Sequence, residues 1–214
     1  MIKAAIFDLD GVIVDTAHYH FIAWQRLAKE LGISFTEADN ERLKGVSRMR
    51  SLEIILEIGG VTLTESKKEE FATKKNSWFV EYIEKIKPKE IFPGVREMLQ
   101  NLQQQGYKVA LASSSKNANT VIRLLQIGHL FDAIVDGTMI THTKPDPEIF
   151  LLAAKKLGLS PADCVVFEDA EAGVEAALAA GMKCVGVGAA EQLGKAHAIV
   201  AKTASFDLAK LQSL

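Results

Sequence analysis

Cysteine is scarce in this chain of 214 residues, which has two, Cys164 and Cys184. Both sit inside apolar, strand-like runs, with no neighbouring histidine and no CxxC spacing. A disulfide framework is therefore not expected; two core thiols fit a reducing, cytoplasmic setting. A basic surplus is also missing. Lys and Arg number 25 against 27 Asp and Glu, a net charge of −2, and no basic block exceeds a few positions. That excludes the electrostatic footprint of a nucleic-acid binder. Apolar runs break well before the roughly 18 residues that a membrane span needs. The first residues read as a strand rather than a charged leader, so no signal peptide is expected. Repeats and low-complexity tracts are absent. What remains is 48% hydrophobic residues, ample for one sizeable core or a core with an insertion.

Those apolar residues fall into a rhythm. Strand-like runs occur at Ile2–Phe7, Lys108–Ala112, Ala133–Val135, Cys164–Phe167, Lys183–Val187 and Ala198–Val200. Helical patterns that end in glycine separate most of them: Val95 to Leu102 before Gly106, Ile149 to Leu157 before Gly158, and Val174 to Ala180 before Gly181. Near-continuous apolar strands alternating with helices predict an α/β fold, a doubly wound parallel sheet. The segment 16–88 breaks the rhythm and contains helical stripes only. Phe21, Trp24, Leu27 or Ala28 and Leu31 form one; Leu52, Ile55, Leu56 and Ile58 a second; Phe71, Phe79, Tyr82 and Ile86 a third, stopping before Pro88. An all-helical insert after the first strand predicts a small cap over the carboxyl edge of the sheet.

Asp8-Leu9-Asp10-Gly11 follows the first apolar run directly. The carboxyl ends of strands in an open parallel sheet are where ligands bind. On extended backbone, side chains two residues apart point the same way. Two carboxylates so placed repel unless a cation or an unusual protonation state intervenes. One could then act as a nucleophile while the other handles protons. Three further clusters end later strands. Ser113-Ser114-Ser115-Lys116-Asn117 offers hydroxyls and N–H groups at a helix start, suited to phosphate or to plain N-capping. Thr143-Lys144-Pro145-Asp146-Pro147 supplies a lysine able to neutralise phosphoryl charge, or a surface lysine before a proline-started helix. Glu168-Asp169 offers hard oxygen ligands for Mg²⁺, or an acidic helix start that complements the dipole. Each is ordinary alone, but all four fall at strand ends that this fold gathers together.

In that order, Asp8-Leu9-Asp10-Gly11, Ser113, Lys144-Pro145 and Glu168-Asp169 resemble the haloacid-dehalogenase-like phosphotransferase superfamily. The helical segments Thr16-Ala17-His18-Tyr19-His20-Phe21-Ile22-Ala23-Trp24, Arg42 to Arg48 and Lys75-Asn76 resemble its β-phosphoglucomutase family. The resemblance implies a Rossmann-like core from residues 1–15 and 89–214 and a cap from 16–88. It implies interconversion of β-glucose 1-phosphate and glucose 6-phosphate through β-glucose 1,6-bisphosphate. Asp8 would be the nucleophile and Asp10 the general acid and base, with Thr16 and His20 in the catalytic set. Ser113 and Lys144 would hold the transferring phosphoryl group. Mg²⁺ would bind Asp8, the Asp10 carbonyl and Asp169, with Glu168 beside it. Arg48, Ser115, Lys116 and Asn117 would grip the distal phosphate. Trp24, Lys44, Gly45, Val46, Ser51 and Lys75 would complete the sugar site.

Residue spacing alone leaves other readings of the cap. His20 stands four before Trp24, as a core-edge histidine would. Lys75 falls between Phe71 and Phe79 on an apolar stripe, where a snorkelling lysine is ordinary. Arg48 opposes the dipole of a helix start, which favours an anionic ligand. Met49-Arg50 and Thr141-His142-Thr143 depart from the family's usual pattern, and Arg50 could shift sugar preference. The alternative function is a sugar-phosphate phosphatase on the same core; a non-catalytic sensor is disfavoured because Asp8 and Asp10 are both present. The partners expected are small sugar phosphates, with no nucleic acid, no membrane and a monomeric state.

Overall fold

A computed structural model describes residues 1–43 and 46–214. Six parallel strands form one sheet: β1 (Ala4–Phe7), β2 (Lys108–Ala112), β3 (Ala133–Val135), β4 (Cys164–Glu168), β5 (Lys183–Val187) and β6 (Ala198–Val200). Their order is β3-β2-β1-β4-β5-β6. The order reverses between β1 and β4, the switch point where such sheets open a crevice. Nine α-helices are described: α1 (Ala17–Glu30), α2 (Glu37–Asn40), α3 (Arg48–Gly59), α4 (Glu65–Ile83), α5 (Val95–Gln104), α6 (Ala118–Leu125), α7 (Glu148–Leu157), α8 (Glu171–Ala179) and α9 (Ala190–Leu193).

The strands read as unbroken apolar runs because both faces are covered. Alternate residues enter different cores. Ala5, Phe7, Val109, Leu111, Val165 and Phe167 face α5 and α6, together with Leu99 and Val121. Ala4, Ile6, Ala110, Ala112, Cys164 and Val166 face α7 and α8, together with Phe150 and Ala177. The first face carries the larger side chains, including Phe7 and Phe167, whose rings stack at 4.6 Å. The second is rich in alanine and cysteine. Cys164 and Cys184 are free and buried, and burial pushes the Cys164 thiol up to about 11.

Between β1 and β2 the chain builds a separate apolar cluster. Trp24 and Leu27 of α1, Leu52 and Ile55 of α3, and Ala72 and Trp78 of α4 pack together. The three helical stripes read from the sequence are these three helices. Thr64 caps α4 by accepting the Lys67 N–H at 3.4 Å. Gly60, at φ +62°, ends α3 in the left-handed conformation that costs glycine nothing. The far end of α4 leaves this cluster: Phe79 and Ile83 belong to the sheet core. α4 thus ties the helical layer to the sheet. Among the described residues, no helix is long and apolar enough to cross a membrane.

Two boundaries differ from the sequence reading. β1 begins at Ala4 rather than Ile2, and β4 runs one residue further, through Glu168. Glu168 therefore keeps its main chain in the ladder, opposite Gly186 of β5.

Candidate active site

β1 ends at Phe7, so Asp8 and Asp10 lie in the turn beyond the strand, and strand alternation is not what orients them. Asp8 is anchored by its N–H to the Phe167 carbonyl at 3.0 Å. The turn is closed by Gly11 N–H to Val14 O, 2.9 Å, and pinned by the Thr203 hydroxyl donating to Val12 O at 2.6 Å. Gly11 sits at φ +73°, and a Cβ there would stand 2.0 Å from an Asp169 carboxylate oxygen. Only glycine lets the turn close against Asp169.

Beneath this turn lies a buried ion triad. The Lys144 ammonium donates to Asp8 Oδ1 at 2.5 Å and to Glu168 Oε2 at 2.8 Å, with its side chain wholly out of solvent. Burial alone would pull Lys144 down, but Asp8 and Glu168 outweigh it and hold the amine charged. Glu168 also accepts the N–H groups of Asp169 and Ala170, 3.2 and 3.1 Å. Burial still pushes its carboxyl up to about 7. Asp10 stands outside the triad. Its Oδ1 is buried without a hydrogen-bond partner. Burial, reinforced by the Asp8 charge, pushes its carboxyl up to about 8. Two aspartates two residues apart thus have separate chemistry: Asp8 is ion-paired, whereas Asp10 carries a proton at neutral pH.

Carboxylate oxygens of Asp8, Glu168 and Asp169 lie within 4.8 Å of one another, close enough to hold one metal ion. Three hard oxygen donors of this kind suit Mg²⁺. His142, Asp146 and Glu148 also cluster. There, however, the Glu148 carboxylate accepts the N–H groups of Thr141 and His142, at distances of 2.7 to 3.1 Å. That group reads as a clamp on the loop carrying Lys144.

The serine-rich turn after β2 continues the ladder through Ser113 N–H to Val135 O, 3.1 Å. Ser113 Oγ accepts the Ser115 N–H and Ser115 Oγ accepts the Asn117 N–H, both at 3.2 Å. The side chain of Asn117 makes no cap to α6. It reaches α4 instead, donating to Asn76 Oδ1 at 2.9 Å. This bond ties the turn after β2 to α4.

Between α1 and α4, the Lys75 ammonium is 2.7 Å from His20 Nδ1. It lies 4.3 Å from the Trp24 ring centroid, over the ring, and Lys75 is only 2% exposed. Lys75 therefore does not snorkel. Burial, then the Arg48 charge, pull it well below the usual lysine range, with Asp10 opposing. His20 is pulled down by burial and by Lys75 and Arg48. Arg48 is the first residue of α3, behind the Ser47 N-cap. Arg50 instead turns along α3 to Glu53 and Glu57, 3.2 and 2.8 Å away, and is not part of the cavity wall.

One cavity between sheet edge and helices collects most of the expected residues. Asp8, Asp10, Ser113, Ser115, Lys116, Asn117, Glu168 and Asp169 line it from the ends of the strands; His20, Trp24, Val46, Arg48, Ser51 and Lys75 line it from the helical segment between β1 and β2. Thr16 is buried just behind the wall, its carbonyl accepting the His20 N–H at 3.0 Å. Lys144 reaches the site from below, through Asp8. Lys44 and Gly45 lie outside the described residues. The sequence reading missed Ala17, Asn40, Leu43, Ser47, Ser114, Gly137 and Thr143, which also line the cavity. Ser114 and Thr143 had a signal in their neighbours Ser113 and Lys144, and Ala17, Leu43 and Ser47 fall inside the segments singled out by resemblance; Asn40 and Gly137 had none, because their place depends on packing.

Comparison with known proteins agrees with this geometry. A β-phosphoglucomutase of Bacillus subtilis is 47% identical over 208 residues, 96% of this chain and 92% of that one. A phosphorylated carbohydrates phosphatase of Thermotoga maritima is 37% identical over 85% of this chain and 82% of its own. The crystal structure of β-phosphoglucomutase from Clostridium difficile superposes with a TM-score of 0.96 at 43% identity, covering 100% of this chain and 96% of that one. The family model for haloacid dehalogenase-like hydrolases matches residues 2–181, which span the aspartate turn, the serine turn, Lys144 and Glu168-Asp169, and the chain belongs to that family.

Proposed function

We propose that this protein is a β-phosphoglucomutase, interconverting β-glucose 1-phosphate and glucose 6-phosphate through β-glucose 1,6-bisphosphate. The observation that carries the reading is the single cavity. Asp8 and the protonated Asp10 stand at its core end, Arg48 and Lys116 also line it, and Asn117–Asn76 joins the two sides. A bisphosphate needs both a reacting centre and cations for its other phosphate.

In the first half-reaction Asp8 would attack the phosphorus of one phosphoryl group of the bisphosphate. The P–O bond to the sugar breaks, and Asp10 gives its proton to the departing sugar oxygen. The phosphoryl group then sits on Asp8. In the reverse sense, Asp10 takes the proton from the other sugar hydroxyl as that oxygen attacks phosphorus. A carboxyl that titrates near neutrality can do both. Lys144 and Ser113 would neutralise and orient the phosphoryl oxygens. Mg²⁺ would sit among Asp8, Glu168, Asp169 and the Asp10 carbonyl, supplying positive charge to the phosphoryl oxygens. Arg48, with Ser115, Lys116 and Asn117, would hold the far phosphate, for which a guanidinium is the suited donor. His20 and Lys75 would couple cap and core at Asp10, and Trp24, Val46 and Ser51 would line the sugar. Residues 16–88 would act as a cap whose closure keeps water from the phosphorylated aspartate.

The second reading, a sugar-phosphate phosphatase, keeps the core roles and lets water accept the phosphoryl group. The phosphatase of Thermotoga maritima among the relatives keeps it in play. Incubation with β-glucose 1-phosphate, Mg²⁺ and a trace of β-glucose 1,6-bisphosphate decides. Glucose 6-phosphate with little free phosphate is expected; phosphate without glucose 6-phosphate would replace the mutase by the phosphatase.

A further inference from the structure

The last residues of the chain lie along β1, the strand that leads into the aspartate turn. Gln212 brackets Ile2 ahead of that strand, accepting its N–H at 3.0 Å and donating to its carbonyl at 2.8 Å. Leu211 is buried in the same core as Phe7. The Phe206 ring meets Phe167 edge-on at 5.4 Å, and Phe167 stacks on Phe7. At the far end of this path stands Thr203, 2% exposed, whose hydroxyl donates to the Val12 carbonyl at 2.6 Å. Its neighbour Ala204 packs so closely that a Cβ on Gly94 would stand 2.8 Å from its own. The anchor is therefore itself held in place.

The two aspartates depend on this anchor unequally. Asp8 has two ties of its own: its N–H to the Phe167 carbonyl at 3.0 Å, and its carboxylate to Lys144. Asp10 has no such grip. Among the described residues, its Oδ1 is buried without a hydrogen-bond partner, so the backbone of the turn sets where the carboxyl points. That backbone passes through Gly11, at φ +73°, and doubles back so that Asp10 lies bridged to Val14. Glycine resists rotation little, so Asp10 is held only if the residues beyond the glycine are held. Thr203 holds Val12, and the Phe92 N–H holds the Ile13 carbonyl at 2.9 Å.

We infer that Thr203 is a positioning residue, its hydroxyl bond to the Val12 carbonyl fixing the turn so that the Asp10 carboxyl meets the sugar oxygen as the P–O bond breaks. The inference rests on the reading above in which Asp8 takes the phosphoryl group and Asp10 supplies the proton. A selective defect follows. In transfer from a sugar phosphate, the bond from Asp8 to phosphorus forms, the bond to the sugar oxygen breaks, and that oxygen leaves with the proton of Asp10. Transfer from acetyl phosphate needs no such proton, because acetate departs as a stable anion with the electron pair of the broken P–O bond. Loosening Val12 should therefore slow the first reaction and spare the second.

The test compares Thr203→Val, which keeps the shape and removes the hydroxyl, with Thr203→Ser, which keeps the hydroxyl. In the Mg²⁺-loaded proteins, well below their Tm, kcat and KM are measured for β-glucose 1-phosphate with a trace of β-glucose 1,6-bisphosphate. First-turnover release of acetate from acetyl phosphate is measured beside them. Thr203→Val is expected to lower kcat about 10-fold, with KM and acetate release unchanged and Thr203→Ser close to wild type. The unpaired Val12 carbonyl also lowers Tm; a lower Tm with kcat kept marks a merely structural bond and overturns the inference. Equal losses in both reactions would overturn it too, as would Thr203→Ser being as slow as Thr203→Val. Should Thr203→Val fail to fold, Thr203→Ala gives the same comparison. A wild type that releases phosphate and forms no glucose 6-phosphate removes the mutase reading alone, and the same comparison on phosphate release still decides the role of Thr203.

Discussion

Asp10→Asn should make the metal-free protein more stable at pH 7 than at pH 4.5, relative to wild type. The Asp10 carboxyl has an ordinary value of 3.8 and is pushed to about 8 in the folded protein. Below 3.8 it is protonated in both states, so pH has no hold on folding through this group. Between 3.8 and about 8 the unfolded chain releases the proton and the folded chain keeps it. Stability is then lost as pH rises, by about 1.4 kcal/mol per pH unit. At pH 7 the accumulated cost is roughly 4 kcal/mol, and at pH 4.5 about 1 kcal/mol. Asparagine removes the titration and leaves a pH-independent difference from the changed hydrogen bonding. The change in ΔΔG between the two pH values is therefore about 3 kcal/mol, or some 6–12 °C in Tm for a chain of this size. Thermal unfolding of both proteins in chelator at both pH values reads it directly. Glu168, pushed up to about 7, titrates in both proteins and largely cancels in the comparison. A wild-type-to-variant difference that is the same at pH 4.5 and pH 7 would refute the protonated Asp10, and with it the proton-transfer role.

Other outcomes follow from the same geometry. Asp8→Asn should abolish turnover while the fold survives; retained turnover would remove the covalent step. Arg48→Ala should lower mutase turnover at least 10-fold more than hydrolysis of acetyl phosphate, which has no second phosphate; equal losses would take Arg48 off the distal phosphate. Lys144→Ala leaves Asp8 and Glu168 buried without their cation, a loss of about 3–5 kcal/mol by denaturant unfolding. Added Mg²⁺ should recover part of it, and no recovery would count against the metal site. Lys75→Met keeps the chain length and removes a buried amine pulled well below its usual range. It should hold or raise stability while lowering kcat; full activity would take Lys75 out of the mechanism.

The reach of sequence reading can be traced at particular residues. Strand and helix positions were legible because burial on both faces leaves a continuous apolar run, and an amphipathic helix leaves a periodic one. Asp8 and Lys144 were legible because short motifs at strand ends carry chemistry that plain turns do not need. Lys75 was not, from its spacing: between Phe71 and Phe79 it looks like a snorkelling lysine. It is buried because the Trp24 and Phe79 rings and His20 close over it. Arg50, which the sequence marked as a residue that could shift sugar preference, pairs with Glu53 and Glu57 on its own helix and does not line the cavity.

The sequence by itself determined the six strands, the helical insert and the four chemical clusters, since each depends on residues close together in the chain. Tertiary structure decided the rest. The strand order brings β1 beside β4, so that Asp8 meets Glu168 across 160 residues of chain, with Lys144 between them. Burial then separates the two aspartates, ion-pairing Asp8 and keeping Asp10 protonated. Charge state and partnership depend on what surrounds a group in space, and no local pattern of residues encodes that surrounding.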